Sequence, residues 1–475
     1  MQPFSSGLTS IASSSHTSPI PLQAAPVARP PRVNTRGADA LRQELANVAG
    51  PASTTGNTSS DMDITTTGTA TRSATPEAAI LSDTPLMFAA SNGDTATVLA
   101  LLRAGAEVDQ GRTDGATALM AAAHDGHTDT VLVLLQAGAS VGQADCSGWT
   151  ALMFAAQDGH TETVQALIRA GAQAGQAKTD GFTVLMVAAQ DGHTDTVQAL
   201  IAAGATVDQA MPDGWTVLMS AVENGHTETA QLLIQSGARV DQCTSDCRTV
   251  LIVAAQNGHT ATVQALLEAG AMTDQEDRVG WTALIAAAQD GHTDTVQALI
   301  AAGAMVNHAM PDNWTALMAA AQDGHTTAVQ ALLRAGAKVD QAMPNGCTVL
   351  MIAAQNGHTD TVRALLGAGA RIAQADNAGF TALIAAAQGG HTGTVQALLQ
   401  DGAKADQAMP DGWTALMSAA QDGHAATVQV LLEAGANYKR KSAPGDTAMS
   451  VAITGGHTAA IELLWAVAMQ SKATS

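Results

Sequence analysis

Residues 147–179 read SGWTALMFAAQDGHTETVQALIRAGAQAGQAKT, and the reading of this stretch decides the fold. Ser147-Gly148 is a turn signal. Thr150 is placed to cap a helix running from about Ala151 to Asp158, with Leu152, Ala155 and Ala156 on one face. Gly159 ends that helix. Thr161 is placed to cap a second helix, and Glu162 in its first turn complements the helix dipole. Val164, Leu167 and Ile168 form its apolar stripe, and Gly171 suits the left-handed residue that closes a helix. The remaining residues make an extended arm into the next turn. One such unit cannot bury its apolar face alone, so it must stack on copies of itself.

The copies are present on both sides. Gly-His-Thr recurs at 126, 159, 192, 225, 258, 291, 324, 357, 390 and 456, with Gly-His-Ala at 423, and Gly-Ala recurs from 105 to 435 in the same register. The register never slips, which lays out twelve units over residues 81–475, eleven of 33 residues and a last one of 32. In three of them the turn glycine is replaced, by Ser82, Cys247 and Asn313. Asn tolerates positive φ, whereas Cys does so poorly. The last unit lacks the Gly-Ala ending. Its helix is expected to bury Leu464 and Trp465 inward and to turn a more polar side to water, as a terminal repeat must.

The period, together with T-x-L-x-x-A-A, G-H and G-A-x-x-D, resembles the ankyrin repeat over more than four-fifths of the chain. The resemblance implies an all-α solenoid of antiparallel helix pairs with hairpin loops projecting sideways. It also implies a groove, formed by hairpin tips and the inner face of the first helix, that binds protein partners. The family's T-P-L-H survives only as Thr84-Pro85-Leu86-Met87; elsewhere Met or Ile follows T-A-L or T-V-L, so that Met120, Met153 and Met186 are expected to pack where the family's His would bond. The arm carries Asp-Gln, as at Asp208-Gln209 and Asp340-Gln341, in place of the common Asn.

Charge narrows the partner. The chain has 42 acids against 21 bases, a net of −21, and charged residues are only 13% of it. Nucleic-acid affinity comes mostly from Lys and Arg neutralising phosphate, so nucleic acid is not an expected partner. Arrays of similar period that read DNA, the transcription-activator-like effectors, wrap phosphate with basic residues that this array lacks. No apolar run approaches the ~18 residues of a membrane span, so membrane insertion is not expected. Four scattered cysteines (Cys146, Cys243, Cys247, Cys347) do not make a disulfide framework. Cys243 and Cys247 bracket one hairpin tip as half a zinc site at best, and free thiols are expected.

No catalytic set and no cofactor or metal site emerges, because every Asp and His that could pair recurs in each repeat and an active site needs one special place. The periodic histidines, His127 through His457, are assigned to the turn between helices. Stacked helices lie about 8–10 Å apart, whereas ligands of one metal share a centre about 2 Å from each.

Two strips carry the expected binding function. At the hairpin tips, just before the capping threonine, stand Trp149, Phe182, Trp215, Trp281, Trp314, Phe380 and Trp413. Met-Pro precedes four tips, at Met211-Pro212, Met310-Pro311, Met343-Pro344 and Met409-Pro410. Exposed aromatics of this kind anchor partners; the other reading is that each ring packs on the adjacent hairpin. At the end of the first helix a Gln-Asp strip supplies Asp158, Asp191, Asp290, Asp323 and Asp422. It is either an acidic wall that selects a basic or polar ligand or a solvated face that keeps an Ala-rich array in solution.

Residues 1–80 differ in kind. Their five bases and five acids cancel, and they are rich in Ser, Thr, Ala and Pro, a composition that cannot offset chain entropy by apolar burial. A disordered leader is expected. No basic stretch precedes an apolar one, so a secretory signal peptide is not. The first acid is Asp39, and seven serines stand in the first 18 residues. An uncharged Ser-rich start ahead of a long repeat array is similar to type III secreted ankyrin effectors of plant-pathogenic bacteria. That resemblance implies delivery into a host cell and a host protein as partner, bound by a monomer. The alternative is an ordinary intracellular scaffold or adaptor in the cytoplasm.

Overall fold

The computed structural model describes residues 83–473; the leader assigned to residues 1–80, and Ser82, lie outside the described residues. The described chain forms 24 α-helices in strict short–long alternation, from Pro85–Ser91 to Thr458–Ala473. First helices pack on first helices of the repeats before and after, and second helices do the same. The result is an all-helical solenoid. Among the described residues, extended pairing is limited to isolated bridges at the necks of the hairpins, such as Ala144 with Thr150.

Local chemistry sets each first helix. In the unit quoted above it spans Ala151–Gln157, and the Thr150 hydroxyl accepts the Met153 N–H at 3.3 Å. Every first helix is capped by its Thr in this way, for instance Thr216 and Thr414. Gly159 follows with φ 71°, a left-handed conformation that ends the helix. The second helix departs from the expectation. It spans Thr161–Arg169, and its N-cap is His160, which makes no side-chain capping bond. Thr161 is instead the first helical residue, and its hydroxyl pairs with that of Thr196 in the next repeat at 2.8 Å. The hydroxyl thus links repeats, and it also reaches the Gly159 carbonyl of its own turn at 3.3 Å, without capping the helix.

The core lies along the first helices, which away from the two ends are buried almost all round: Ala151, Leu152, Met153, Phe154, Ala155 and Ala156 are all buried. A helix seven residues long and enclosed on every side explains the alanines, because only small side chains let neighbouring backbones approach. Met120, Met153 and Met186 are fully packed, as expected of the positions where the family carries His.

Four further contacts join repeat to repeat. The His193 Nε2–H donates to the Gln157 carbonyl at 2.8 Å, and ten histidines of the Gly-His series make this bond to the residue 36 positions earlier. The threonine hydroxyls form a parallel ladder, from Thr95–Thr130 to Thr392–Thr427. Arm carboxylates accept a backbone N–H of the next arm, as Asp208 does from Arg239 at 3.0 Å and Asp340 from Arg371 at 2.9 Å. Each Pro of three Met-Pro pairs sits against the turn glycine of the preceding hairpin, where a Cβ on Gly181 would lie 2.9 Å from Pro212 Cδ. Met-Pro is therefore a stacking element.

The ends depart from the repeat. At the first, Asp94 stands where other repeats carry His. It caps the helix Thr95–Arg103 through Thr97, whose hydroxyl and N–H hold the carboxyl below its ordinary range. At the last, no Gly-Ala stops the second helix, which runs on for 16 residues to Ala473. Leu464 is buried as expected, but Trp465 is 60% exposed. Trp465 occupies the position of Leu432, which is half-buried in every earlier repeat. Here no repeat follows among the described residues, and the ring is in solvent. Ile453 and Met469 are exposed with it, among the exposed polar residues Thr454, Glu462 and Gln470.

Candidate partner-binding surface

The aromatic tip residues are held by the acid at the turn. Asp145 Oδ1 accepts the Trp149 N–H at 2.7 Å, and Asp213, Asp277, Asp312, Asp376 and Asp411 serve Trp215, Trp281, Trp314, Phe380 and Trp413 in the same way. This fixes the backbone. The residue five positions on, in the first helix, sets what each ring meets.

Below Trp215 and Trp413 that residue is serine. Trp215 Nε1–H donates to Ser220 Oγ at 3.0 Å, and Trp413 Nε1–H to Ser418 Oγ at 2.9 Å. Below Trp281, Trp314 and Phe380 it is alanine, and these three rings are buried. Below Trp149 it is Phe154. The two rings meet at 5.3 Å between centroids, tilted by 35°, and Trp149 stays half-exposed. The pairing was present in the sequence as a second periodicity, small residues under large tips, but single-residue reading does not weigh it.

The expectation of exposed aromatic anchors therefore needs correction for four positions. Trp215, Trp281, Trp314 and Phe380 are buried, Trp314 to 1% exposure. Their rings fill the angle between hairpin and helix, and contribute to the fold as core residues do. Trp149, Phe182 and Trp413 remain half-exposed. Lys178 Nζ lies over both Trp149 and Phe182, 5.4 and 6.0 Å from the ring centroids.

Arg248 takes the tip position in the Cys243–Cys247 hairpin and is also buried. Its guanidinium donates to Gln256 Oε1, at the end of the first helix of its own repeat. Burial pulls its pKa down, while Asp246, Glu223 and Asp277 oppose the loss of charge. Cys247 has φ 65° and Asn313 φ 61°, so both replacements of the turn glycine adopt its left-handed conformation. Cys243 and Cys247 are free thiols, and burial followed by the neighbouring Cys247 pushes the Cys243 thiol up.

The acidic strip adjoins the tips. His124 bridges them near the first repeats: its ring meets Phe154 edge-on at 5.8 Å, and its Nε2 is 3.6 Å from Asp158. Farther along, Gln289 Nε2–H donates to Asp323 Oδ2 at 2.7 Å, joining one repeat to the next. Asp158, Asp191 and Asp290 are half-buried, and Asp323 and Asp422 exposed. Each follows the last residue of its first helix, where the C-terminal dipole favours cations over carboxylates. Helix stability does not account for an acid at these positions. Among the described residues no group of three or more potential ligands could hold a metal ion, and no helix is long and apolar enough to cross a membrane.

A family model of ankyrin repeats matches residues 86–177, 153–244, 237–310, 305–376 and 369–442. In structure, 511 solved chains match. One is the ankyrin repeat domain of human ASB11, at 25% identity and a TM-score of 0.44, covering 47% of this chain and 99% of that one. No curated protein sequence matches. Ankyrin repeats are protein-interaction modules. With the family model covering well over half of its length, the chain belongs to the ankyrin-repeat family.

Proposed function

We propose that this array is a non-enzymatic scaffold that binds a basic protein segment along the strip of Asp158, Asp191, Asp290, Asp323 and Asp422, with Trp149, Phe182 and Trp413 as the aromatic contacts at its edge. The observation that carries this reading is the row of carboxylates at helix C-termini, two exposed and three half-buried, where they oppose the dipole. Asp323 and Asp158 also serve the fold, through Gln289 and His124, but an acid recurring against the dipole along the whole strip fits a use outside it as well. The test is selection from a random peptide library by the full chain. Lys- and Arg-rich sequences should be enriched, and a variant with the five Asp changed to Asn should lose that bias at unchanged melting temperature. Enrichment without charge bias would remove the acidic strip from the function.

The finer reading, an effector delivered into a host cell by a type III system, rests on the Ser-rich start that carries no acid before Asp39. A reporter fused to residues 1–80 should leave a type III-competent bacterium and stay inside its secretion-deficient twin. Equal retention in both strains leaves the ordinary cytoplasmic scaffold as the reading.

A further inference from the structure

We propose that the groove carries an arginine-selective site at Gln289 and Gln322, which takes an arginine side chain of the bound basic segment. The inference rests on the basic-segment reading above and names the residue that the array selects within it. Gln289 and Gln322 end the first helices of consecutive repeats. The Oε1 of each is buried and has no hydrogen-bond donor, and among the described residues no other glutamine of this strip is so placed. Gln289 Nε2–H is given to Asp323 Oδ2 at 2.7 Å, which ties the two helix ends together. A buried acceptor without a donor is a cost carried by the free chain.

The chain itself shows what fits such an oxygen. Two repeats earlier, the positions of Gln289, Trp314 and Gln322 are taken by Glu223, Arg248 and Gln256. Arg248 is 8% exposed, its guanidinium donates to Gln256 Oε1, and the Glu223 carboxylate helps to keep it charged. At this place in the repeat, then, a guanidinium meets the glutamine oxygen. In the later pair the residue between is Trp314, a ring that is 1% exposed and bonds neither oxygen, its own Nε1–H finding no acceptor. The donors that Arg248 supplies from within are left to a partner.

The acids alone would take either base; the amide oxygens favour arginine. Both glutamines are half-buried and so reach the groove, and the last torsion of the side chain is soft, which lets each oxygen turn toward a donor above it. Asp290 and Asp323 follow directly and supply the charge. Acceptors on two helices about 8–10 Å apart call for several donors on one flat group. Guanidinium has five in a fixed fork and is weakly hydrated, whereas ammonium is a compact, strongly hydrated point charge.

Fluorescence anisotropy of the full chain tests the proposal with two labelled peptides of equal length and charge, one of Gly-Ser-Arg repeats and one of Gly-Ser-Lys repeats. The arginine peptide should bind about tenfold tighter or more. Gln289→Met and, separately, Gln322→Met should each lower the arginine peptide toward the lysine value and leave the lysine peptide unmoved, with unchanged circular dichroism. Equal binding of the two peptides to the wild-type chain, a comparison that needs no variant, overturns the site and leaves the acidic strip standing. An arginine preference that survives both variants overturns it as well. If neither peptide binds, the strip and the site fall together.

Discussion

His193 Nε2–H donates to the carbonyl of Gln157, 36 residues earlier, while the same imidazole lies on Gly159, where a Cβ would be 2.4 Å from Nδ1. One ring thus closes the end of the preceding first helix and requires a glycine there for two reasons, the positive φ and the lack of a side chain. The Gly-His dipeptide reads locally as a turn, but its two halves act on different neighbours.

Gly159→Ala is therefore expected to be costlier than Gly171→Ala in the same repeat. Gly171 also has positive φ, at 98°, but nothing lies within 4 Å of its Cβ position. The Gly171 variant should lose about 1 kcal/mol for conformation alone, and the Gly159 variant at least about 1 kcal/mol more for displacing His193. Urea unfolding of both variants gives the difference; equal losses would mean that the imidazole yields freely.

Trp314 Nε1 is buried without a hydrogen-bond partner, whereas Trp215 and Trp413 reach Ser220 and Ser418. Ala319→Ser places a hydroxyl at the equivalent position and should stabilise the protein by about 1 kcal/mol. Ser220→Ala should destabilise it by about 1–3 kcal/mol, because it orphans a buried donor. Thermal unfolding of the two variants in opposite directions is the expected result, and a neutral or destabilising Ala319→Ser counts against this role for the hydroxyl.

The buried rings should behave as core. Trp314→Ala is expected to cost about 3–5 kcal/mol, in contrast to the unchanged melting expected of an exposed anchor. Trp149→Ala, at a half-exposed ring, should cost clearly less and weaken partner binding instead. Chemical denaturation of the pair decides it; similar losses would place both rings in the same role.

Cys247→Gly should raise stability by about 1 kcal/mol, since Cys247 holds φ 65° at a position that glycine adopts without strain. Hydrogen exchange in the Asp246 hairpin should slow toward that of the Asp213 hairpin, which keeps Gly214. Exchange already equal in the two wild-type hairpins would show that the strain is absorbed elsewhere.

Burial pushes the Cys347 thiol up to about 12, while Cys146 is exposed. Near neutral pH Cys347 has almost no thiolate and no access, so maleimide should label Cys146 quickly and Cys347 only as the array opens. Mass spectrometry of a labelling time course measures both, and comparable native rates would contradict the burial of Cys347.

The sequence by itself determined the period, the number of units, the helix pair and its glycine stops. Each depends on interactions within about four residues: the Thr150 hydroxyl on Met153 N–H, the positive φ of Gly159 and Gly171, and the apolar spacing of Val164 and Leu167. Twelve-fold repetition made these weak local signals decisive. The sequence also marked both strips, tips and carboxylates, without fixing what is accessible in them. Stacking decided that, through contacts between residues 31 to 36 positions apart. The Thr161 hydroxyl bonds the next repeat rather than capping its own helix, and the His193 ring settles on Gly159 of the repeat before its own. A side chain's burial depends on the surface brought against it, and in a solenoid that surface is supplied by another unit of the chain.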